Sequence, residues 1–477
     1  MPKSKLDLDL CYLTATEAID KFKRRELSPV ELTEALIARA KAVNAKLNIL
    51  TELKTHEALK AARLAEVRYR NPKAGRARPL EGVPVAIKDF HPIKGEITTF
   101  GSKAYANFRP TNTAPTVDRL FKAGAILLAR TTTPELAHCG ITKSPLWGVS
   151  RNPWDPRCTP GGSSGGAGAA VAAGMTTIAD GTDGGGSIRI PSAINGIFGF
   201  KPPFGRNPLD LEHPLETLLH YGPMTRSVAD AALMQNVMSG QHVADICSLR
   251  EQCVLPSSYE GIRGMKIAFS MDLGYFEVAA DVQKNTREAI ATLKHLGAKV
   301  EAVDVGWNET VLDAWQTWWE GLFAGLCANL LPRWRHHMTP MVEYLLERGL
   351  SHSGARLYQS NIVRGWMYQR LSPILEKYAA LICPTVAVSA LAAEHDDMAT
   401  DFRINGKRVP AYVGWAMTYP FNLMGWCPVA SIPTGFGATN MPTGMQIVGR
   451  TFDDHTVFQI ASAFEQAQPW RRVRPKI

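Results

Sequence analysis

Residues 160 to 191, PGGSSGGAGAAVAAGMTTIADGTDGGGSIRIP, set two serine clusters in glycine on either side of a short apolar stretch. Ser163 and Ser164 stand within Gly161-Gly162-Ser163-Ser164-Gly165, and Ser187 follows Gly184-Gly185-Gly186. A serine hydroxyl does acyl transfer when it is displayed beside N–H groups that hold the charge growing on a carbonyl oxygen. Glycine suits such a place, because a missing Cβ permits positive φ and lets a substrate approach the backbone. The N–H groups of Gly184, Gly185, Gly186 and Ser187 are therefore a candidate oxyanion hole. The stretch between the clusters, Gly165 to Ala173, reads as a helix with Ser164 as its N-cap.

Gly161 to Gly165 also matches G-x-S-x-G, the turn that displays the serine of histidine-based α/β-hydrolases. That turn needs a strand in front of it, whereas Asn152-Pro153-Trp154-Asp155-Pro156 and Pro160 enforce a loop. A histidine-dependent esterase is accordingly the minor alternative.

The elements that would position these serines alternate in the manner of an α/β layer fold. Residues 12 to 70 read as three helices around one strand, Leu47 to Leu53. Ser28-Pro29-Val30-Glu31 forms a capping box with proline in the first turn, opening the periodic run Leu32, Leu36, Ile37, Ala40. Gly82 to Ile87 is an apolar run of buried-strand character that ends in Lys88-Asp89. A helix from Ala114 to Ala123, a strand from Ile126 to Ala129, a strand from Met265 to Phe269, a helix from Asp281 to Leu296 and a strand from Lys299 to Val303 follow. Residues 305 to 380 read as an inserted, mainly helical region and hold six of the eleven tryptophans. Strands at Leu381 to Thr385 and Thr443 to Gly449 precede a last helix, Asp454 to Gln466. The expected architecture is one large α/β domain over 1–477: a mixed, twisted sheet covered by helices on both faces. Within it, 12–70 is an N-terminal helical segment, 80–205 the catalytic core and 305–380 a variable helical insertion.

Composition narrows the function. The chain has 477 residues, 20% of them charged, and a formal net charge of +9. Its basic residues are dispersed among acidic ones, with local excess at Lys21 to Arg25 and Arg471 to Lys476, so no nucleic-acid surface is expected. Ala411 to Gly449 carries no charged residue, but Pro420, Pro428, Pro433 and Pro442 break it too often for a membrane helix, and it reads as buried core. The N-terminal MPKSKLDLDLCYL interrupts its apolar residues with charge, as a cytoplasmic protein would. Eight scattered cysteines without a CxxC pair or an HExxH pattern suggest reduced thiols, and no metal or cofactor is expected.

Several ordered motifs resemble the amidase signature family. They are Gly82-Val83-Pro84 with Ile87-Lys88-Asp89; Lys122 to Ala125; Arg151 to Asp155; Pro160 to Gly166; Ala172 to Gly174; Gly181-Thr182-Asp183; Gly185 to Pro191; Gly199 to Pro202; Pro442 to Gly449; and Ala463-Phe464-Glu465. The resemblance implies a Ser-cis-Ser-Lys triad. Ser187 matches the nucleophile, Ser163 the bridging serine after a cis bond from Gly162, and Lys88 the base. Such a lysine must be neutral when it acts, and lowering it from about 10.4 to roughly 7–8 takes on the order of 4 kcal/mol, which burial can supply. Asp183 and Arg189 are expected to brace the nucleophile loop, with Ser164 and Thr182 as lesser contributors.

The implied reaction is hydrolysis of a small-molecule amide, with ester hydrolysis as a side activity and a homodimer as a compatible assembly. The runner-up is the glutamine-hydrolysing A chain of a tRNA-dependent amidotransferase. Against it, Ile188-Arg189-Ile190-Pro191 looks like the general amidases, and Thr131 to Glu135 lacks the Asn-Met-Asp-Glu run of the amidotransferase chain. A catalytically dead binding protein is the third class. Trp315, Trp318, Trp319, Leu322 and Phe323 fall on one helix face, which either packs into the core or walls a pocket for an apolar or aryl amide. Gly184 stands where many relatives carry threonine or isoleucine, Asp180 where a small or apolar residue is usual and Thr132 where asparagine is common. The first of these departures points to a looser loop or a larger pocket.

Overall fold

The computed structural model describes residues 7–71, 75–210 and 215–477; the charged start of the chain, 1–6, lies outside them. Eleven strands form one sheet: β1 (Leu50–Leu53), β2 (Pro84–Lys88), β3 (Ile126–Thr131), β4 (Ile178–Thr182), β5 (Phe198–Lys201), β6 (Tyr221–Thr225), β7 (Lys266–Phe269), β8 (Lys299–Ala302), β9 (Ala380–Pro384), β10 (Val429–Phe436) and β11 (Pro442–Gly449). Their spatial order is β1-β3-β2-β4-β6-β5-β10-β11-β9-β7-β8. The first six strands thus make one half of the sheet and the last five the other. The halves meet where β5 pairs antiparallel with β10, Lys201 opposite Val429 and Gly199 opposite Ser431. Parallel pairs β2–β3, β2–β4, β7–β9 and β7–β8 make the sheet mixed.

Twelve helices of seven or more residues accompany the strands: α1 (Ala15–Arg24), α2 (Pro29–Leu47), α3 (Thr55–Arg70), α4 (Pro115–Lys122), α5 (Gly165–Ala172), α6 (Arg189–Asn195), α7 (Val228–Met238), α8 (Ala280–His295), α9 (Thr310–Cys327), α10 (Pro340–Ser351), α11 (Gly354–Lys377) and α12 (Asp454–Ala467). Successive strand residues point to opposite faces, so a sheet buried on both sides sends alternate residues into different cores. Leu381 and Cys383 of β9 join α6 and α9 to α11 on one side. Ala380 and Ile382 of the same strand pack with α7, α8 and α12 on the other.

The expected fold class is what the chain adopts. The capping box at Ser28 is present, with Ser28 N–H donating to Glu31 and Val30 N–H to the Ser28 hydroxyl. Boundaries differ where a turn intervenes: α2 runs on to Leu47, Asn48 turns in the left-handed region, and the strand begins at Leu50. Four strands of this sheet were not expected, β4, β5, β6 and β10. Pro223 of β6 lies opposite Asp180, beyond the point where β5 pairs with that strand. Pro433 of β10 sits at a break in register. Proline is tolerated at such places because no ladder donor is needed there.

The N-terminal segment is tied to this body by one buried carboxylate. Asp230 of α7 accepts hydrogen bonds from the N–H groups of Ala15 (2.8 Å) and Thr16 (3.0 Å) and from the Thr16 hydroxyl (3.0 Å). Asp230→Ala leaves three donors, the buried Ala15 N–H and the half-buried Thr16 N–H and hydroxyl, without that acceptor and is expected to lower unfolding free energy by about 2–3 kcal/mol. An unchanged urea midpoint would show that α1 is held by packing alone.

Candidate active site

Every residue of β2, PVAIK, is buried, and the strand delivers Lys88 into the interior. The Lys88 N–H donates to Asp180 Oδ1 on β4 at 2.8 Å, which fixes the strand end. Nζ stands 2.7 Å from Ser163 Oγ and 2.7 Å from Thr182 Oγ1, donating to both. Two hydroxyls and no ion-paired carboxylate surround the amine among the described residues. Burial pushes it down from 10.5 to about 7, against the opposing pull of Asp180 and Asp183.

Ser163 follows a cis peptide bond from Gly162. The loop lies close against its neighbours: a Cβ on Gly162 would stand 2.6 Å from the Ile141 nitrogen, and the Thr142 hydroxyl donates to Gly161 O at 2.7 Å. Ser164 precedes α5 but does not cap it. Its hydroxyl is engaged with β4 instead, donating to Thr182 O (3.3 Å) and accepting from Thr182 N–H (3.2 Å). The expected cap is thus a tie between α5 and the strand that carries Thr182.

Each glycine before Ser187 answers to a different neighbour. A Cβ on Gly184 would lie 2.7 Å from Trp319 Cζ3 and 3.0 Å from Leu219 Cδ2, and one on Gly185 would lie 2.6 Å from Trp315 Cζ2. Gly186 has φ +127°, and a Cβ there would fall on the Thr418 hydroxyl. The space at Gly184 is filled by Trp319 and Leu219, so the loop is neither loose nor widened there. Carbonyls of the loop are held by Trp315 Nε1, which donates to Gly184 O (3.2 Å), and by Thr418 Oγ1, which donates to Gly185 O (2.6 Å). Among the described residues the N–H groups of Gly184 to Ser187 donate to no protein atom.

Asp183 and Arg189 pair where neither meets solvent, through Nε (2.9 Å) and Nη2 (2.8 Å). Burial raises the Asp183 carboxyl, but Arg189 and Asn422 overcome it and hold the acid well below the usual carboxylate range. Arg189 also donates to Thr418 O (2.9 Å), Gln446 Oε1 (2.6 Å) and Asn422 Oδ1 (2.7 Å). All five of its N–H groups are thereby used. Asn422 in turn donates to the Asp183 and Leu218 carbonyls, at 3.0 Å each. Thr418, Asn422 and Gln446 were not anticipated at the site; Thr418 and Asn422 are marked only as polar residues in the charge-free Ala411 to Gly449, and Gln446 also by its place in the Pro442 to Gly449 motif.

Ser163, Thr182, Gly184 and Ser187 share the wall of a cavity of ≈ 140 Å³. Among the described residues no hydrogen bond joins the two serine hydroxyls; Ser164 N–H donates to Ser187 O at 3.2 Å. Trp319 and Phe323 of α9 line the cavity with Phe90, Phe100, Tyr105 and Phe108. The other two tryptophans do not line it. Trp315 lies beneath Gly185, stacked on Trp319 with ring centroids 5.4 Å apart. Trp318 points away, its Nε1 donating to Glu216 at 3.2 Å and its ring lying 5.4 Å from the Arg364 guanidinium. The aromatic run after Lys88 was the missed signal for the opposite wall. A smaller cavity behind the loop borders His138, Cys139, Gly185 and Ser187.

The sequence pattern of the family described as Amidase matches residues 31–458. An acylamidase of Rhodococcus erythropolis is 34% identical over 476 residues, covering 98% of each chain. The A chain of the glutamyl-tRNA(Gln) amidotransferase of Geobacter metallireducens is 32% identical over 497 residues, 97% of this chain and 99% of its own. Among solved structures, a bacterial aryl acylamidase of the amidase signature family superposes with TM-score 0.90 at 30% identity, covering 97% of both chains. The chain belongs to the amidase signature family, and its reaction class is amide hydrolysis.

Gly185→Ala drives a methyl group into Trp315 and must displace the loop. Activity on amides is expected to fall roughly 10²-fold, the loss typical of one misplaced oxyanion donor, with little change in melting temperature. Retained kcat would show that Trp315 yields without moving the loop.

Proposed function

We propose that the protein hydrolyses small apolar amides, aryl amides foremost, through an acyl-enzyme on Ser187. The observation that carries this is the cavity wall: among the described residues, the side chains lining it include six aromatic and several aliphatic residues and no charged one. An aryl amide leaves nothing unpaired there, whereas the α-ammonium and α-carboxylate of glutamine would enter without counter-ions. The acylamidase relative and the aryl acylamidase structure support the same reading.

In this reading the neutral Lys88 amine donates to Thr182 and turns its lone pair to Ser163. It takes the Ser163 proton while Ser163 takes that of Ser187, and Ser187 Oγ bonds to the amide carbon. The oxyanion rests on the N–H groups between Gly184 and Ser187. As the C–N bond breaks, the proton returns through Ser163 to the leaving nitrogen. Water then attacks the ester by the same relay, releasing the carboxylate. The Ser187 hydroxyl closes onto Ser163 as substrate binds, as catalytic hydrogen bonds in ligand-free enzymes often do. An ester would form the same acyl-enzyme.

The amidotransferase reading rests on identity to the glutamyl-tRNA(Gln) amidotransferase A chain over 97% of this chain. The isolated protein is expected to turn over an acyl anilide at least 10²-fold better than glutamine, with the acyl adduct found on Ser187 and lost in Ser187→Ala. Glutamine turnover that appears only with partner proteins would reverse the assignment.

Lys88 can accept a proton only when neutral, so below about 7 the base is blocked. kcat/KM is expected to rise about tenfold per pH unit up to that point and to level off above it. A flat profile from mildly acid to mildly alkaline pH would remove Lys88 from the role of base.

A further inference from the structure

Beside the active site, one ring nitrogen of His138, the thiol of Cys139 and a carboxylate oxygen of Asp397 lie within 4.8 Å of one another, and all three residues are buried. We propose that His138, Cys139 and Asp397 bind a divalent cation of the zinc class.

The donor set decides the class of ion. One thiolate, one imidazole and one carboxylate suit a borderline-soft cation, whereas magnesium and calcium take oxygen ligands. Around a tetrahedral zinc, with bonds of about 2.0–2.3 Å, ligand atoms stand roughly 3.3–3.7 Å apart, so the cluster needs to close by about 1 Å. Two further observations point to a ligand. Asp397 is 5% exposed, and among the described residues its buried Oδ1 is hydrogen-bonded to no nitrogen or oxygen; the side chain that meets the carboxylate is the Cys139 thiol. The nearest cation, Lys143 Nζ, is 4.0 Å from the other oxygen. His138 Nδ1 stands 2.8 Å from Glu135 O, which can only accept; the ring proton therefore belongs to Nδ1, and Nε2 keeps the lone pair a metal needs.

The surrounding chain is already shaped to hold these residues. Leu136 and Ala137, just before the pair, both have positive φ, 52° and 59°. The Tyr412 hydroxyl donates to His138 O, and Trp319 Nε1 donates to that hydroxyl at 3.0 Å. Leu136 and Ala137 also line the substrate cavity. A cation held here pins that wall and takes no part in the hydrolysis. Binding replaces the Cys139 S–H bond with an S–metal bond, and the proton leaves to solvent, so affinity increases with pH.

The full chain, stripped with a chelator, is titrated with Zn²⁺ by calorimetry and melted with and without the ion. One ion per chain, a buffer-dependent proton release and a raised melting temperature are expected. Cys139→Ser and Asp397→Asn should each weaken binding at least tenfold, while His337→Ala, at an exposed histidine, should not. No stoichiometric binding, or binding unchanged in both variants, overturns the site and leaves the Cys139 thiol donating to Ile141 O at 3.1 Å. If the variants do not fold, alkylation of Cys139 in the unmodified chain decides, read by peptide mass. Protection by Zn²⁺ supports the site, and equal labelling with and without zinc overturns it.

Discussion

A lysine amine buried between two hydroxyls, with no carboxylate among the described residues paired to it, is the constraint on which the arrangement of the site depends. Moving its pKa from 10.5 to about 7 corresponds to about 5 kcal/mol against the charged form inside the fold. Between those two values the unfolded chain binds a proton that the folded chain does not, so this group's contribution to stability rises with pH across that window. A deficit of that size at low pH can be carried only by a rigid surround. The parallel neighbours of β2 supply it, with Asp180 anchoring the backbone at the residue that must not move.

The glycine loop before Ser187 is held by a different device. Its glycines leave no side chains with which to pack, so neighbours press directly on the backbone: Trp315 and Trp319 from α9, and Thr418 from the charge-free segment. Arg189 then converts a flexible turn into a fixed one, since five donors on a planar fork meet acceptors from three separate parts of the chain. The lysine and both serines come from the first half of the sheet, whereas most of what clamps the loop comes from the second.

Much of this was legible in the sequence, for identifiable reasons. The capping box at Ser28, the apolar run into Lys88 and the periodic helices follow from local chemistry, and they stand within a few residues of expectation. The strands Tyr221–Thr225 and Val429–Phe436 did not, because each contains a proline that reads as a breaker until its neighbours are known. Ile178–Thr182 was hidden because Asp180 and Gly181 are poor strand formers; tertiary contacts to Lys88 and His91 account for the aspartate. Lys88, Ser163 and Ser187 were singled out by ordered motifs. Thr418 and Asn422 could not be, because a buried polar residue has no pattern of its own until its partner is placed, and the motif around Gln446 did not say what its side chain meets. Helical spacing put four aromatic residues on one face of α9, but only two reach the cavity: the stripe is wider than the opening, and Trp318 turns to Arg364.

The junction between the two halves of the sheet bears on how the protein is made. Arg189 and Gln446 are 257 residues apart in the chain, a span that a ribosome covers in roughly 13–50 s at ~5–20 residues per second. For most of that interval the nascent chain carries Lys88, Ser163, Ser187 and the Asp183 partner of Arg189 but lacks Thr418, Asn422 and Gln446. Lys88, Ser163 and Ser187 are therefore translated long before the far acceptors that hold Arg189, and the full set of contacts on that loop forms only once the last strands have been made.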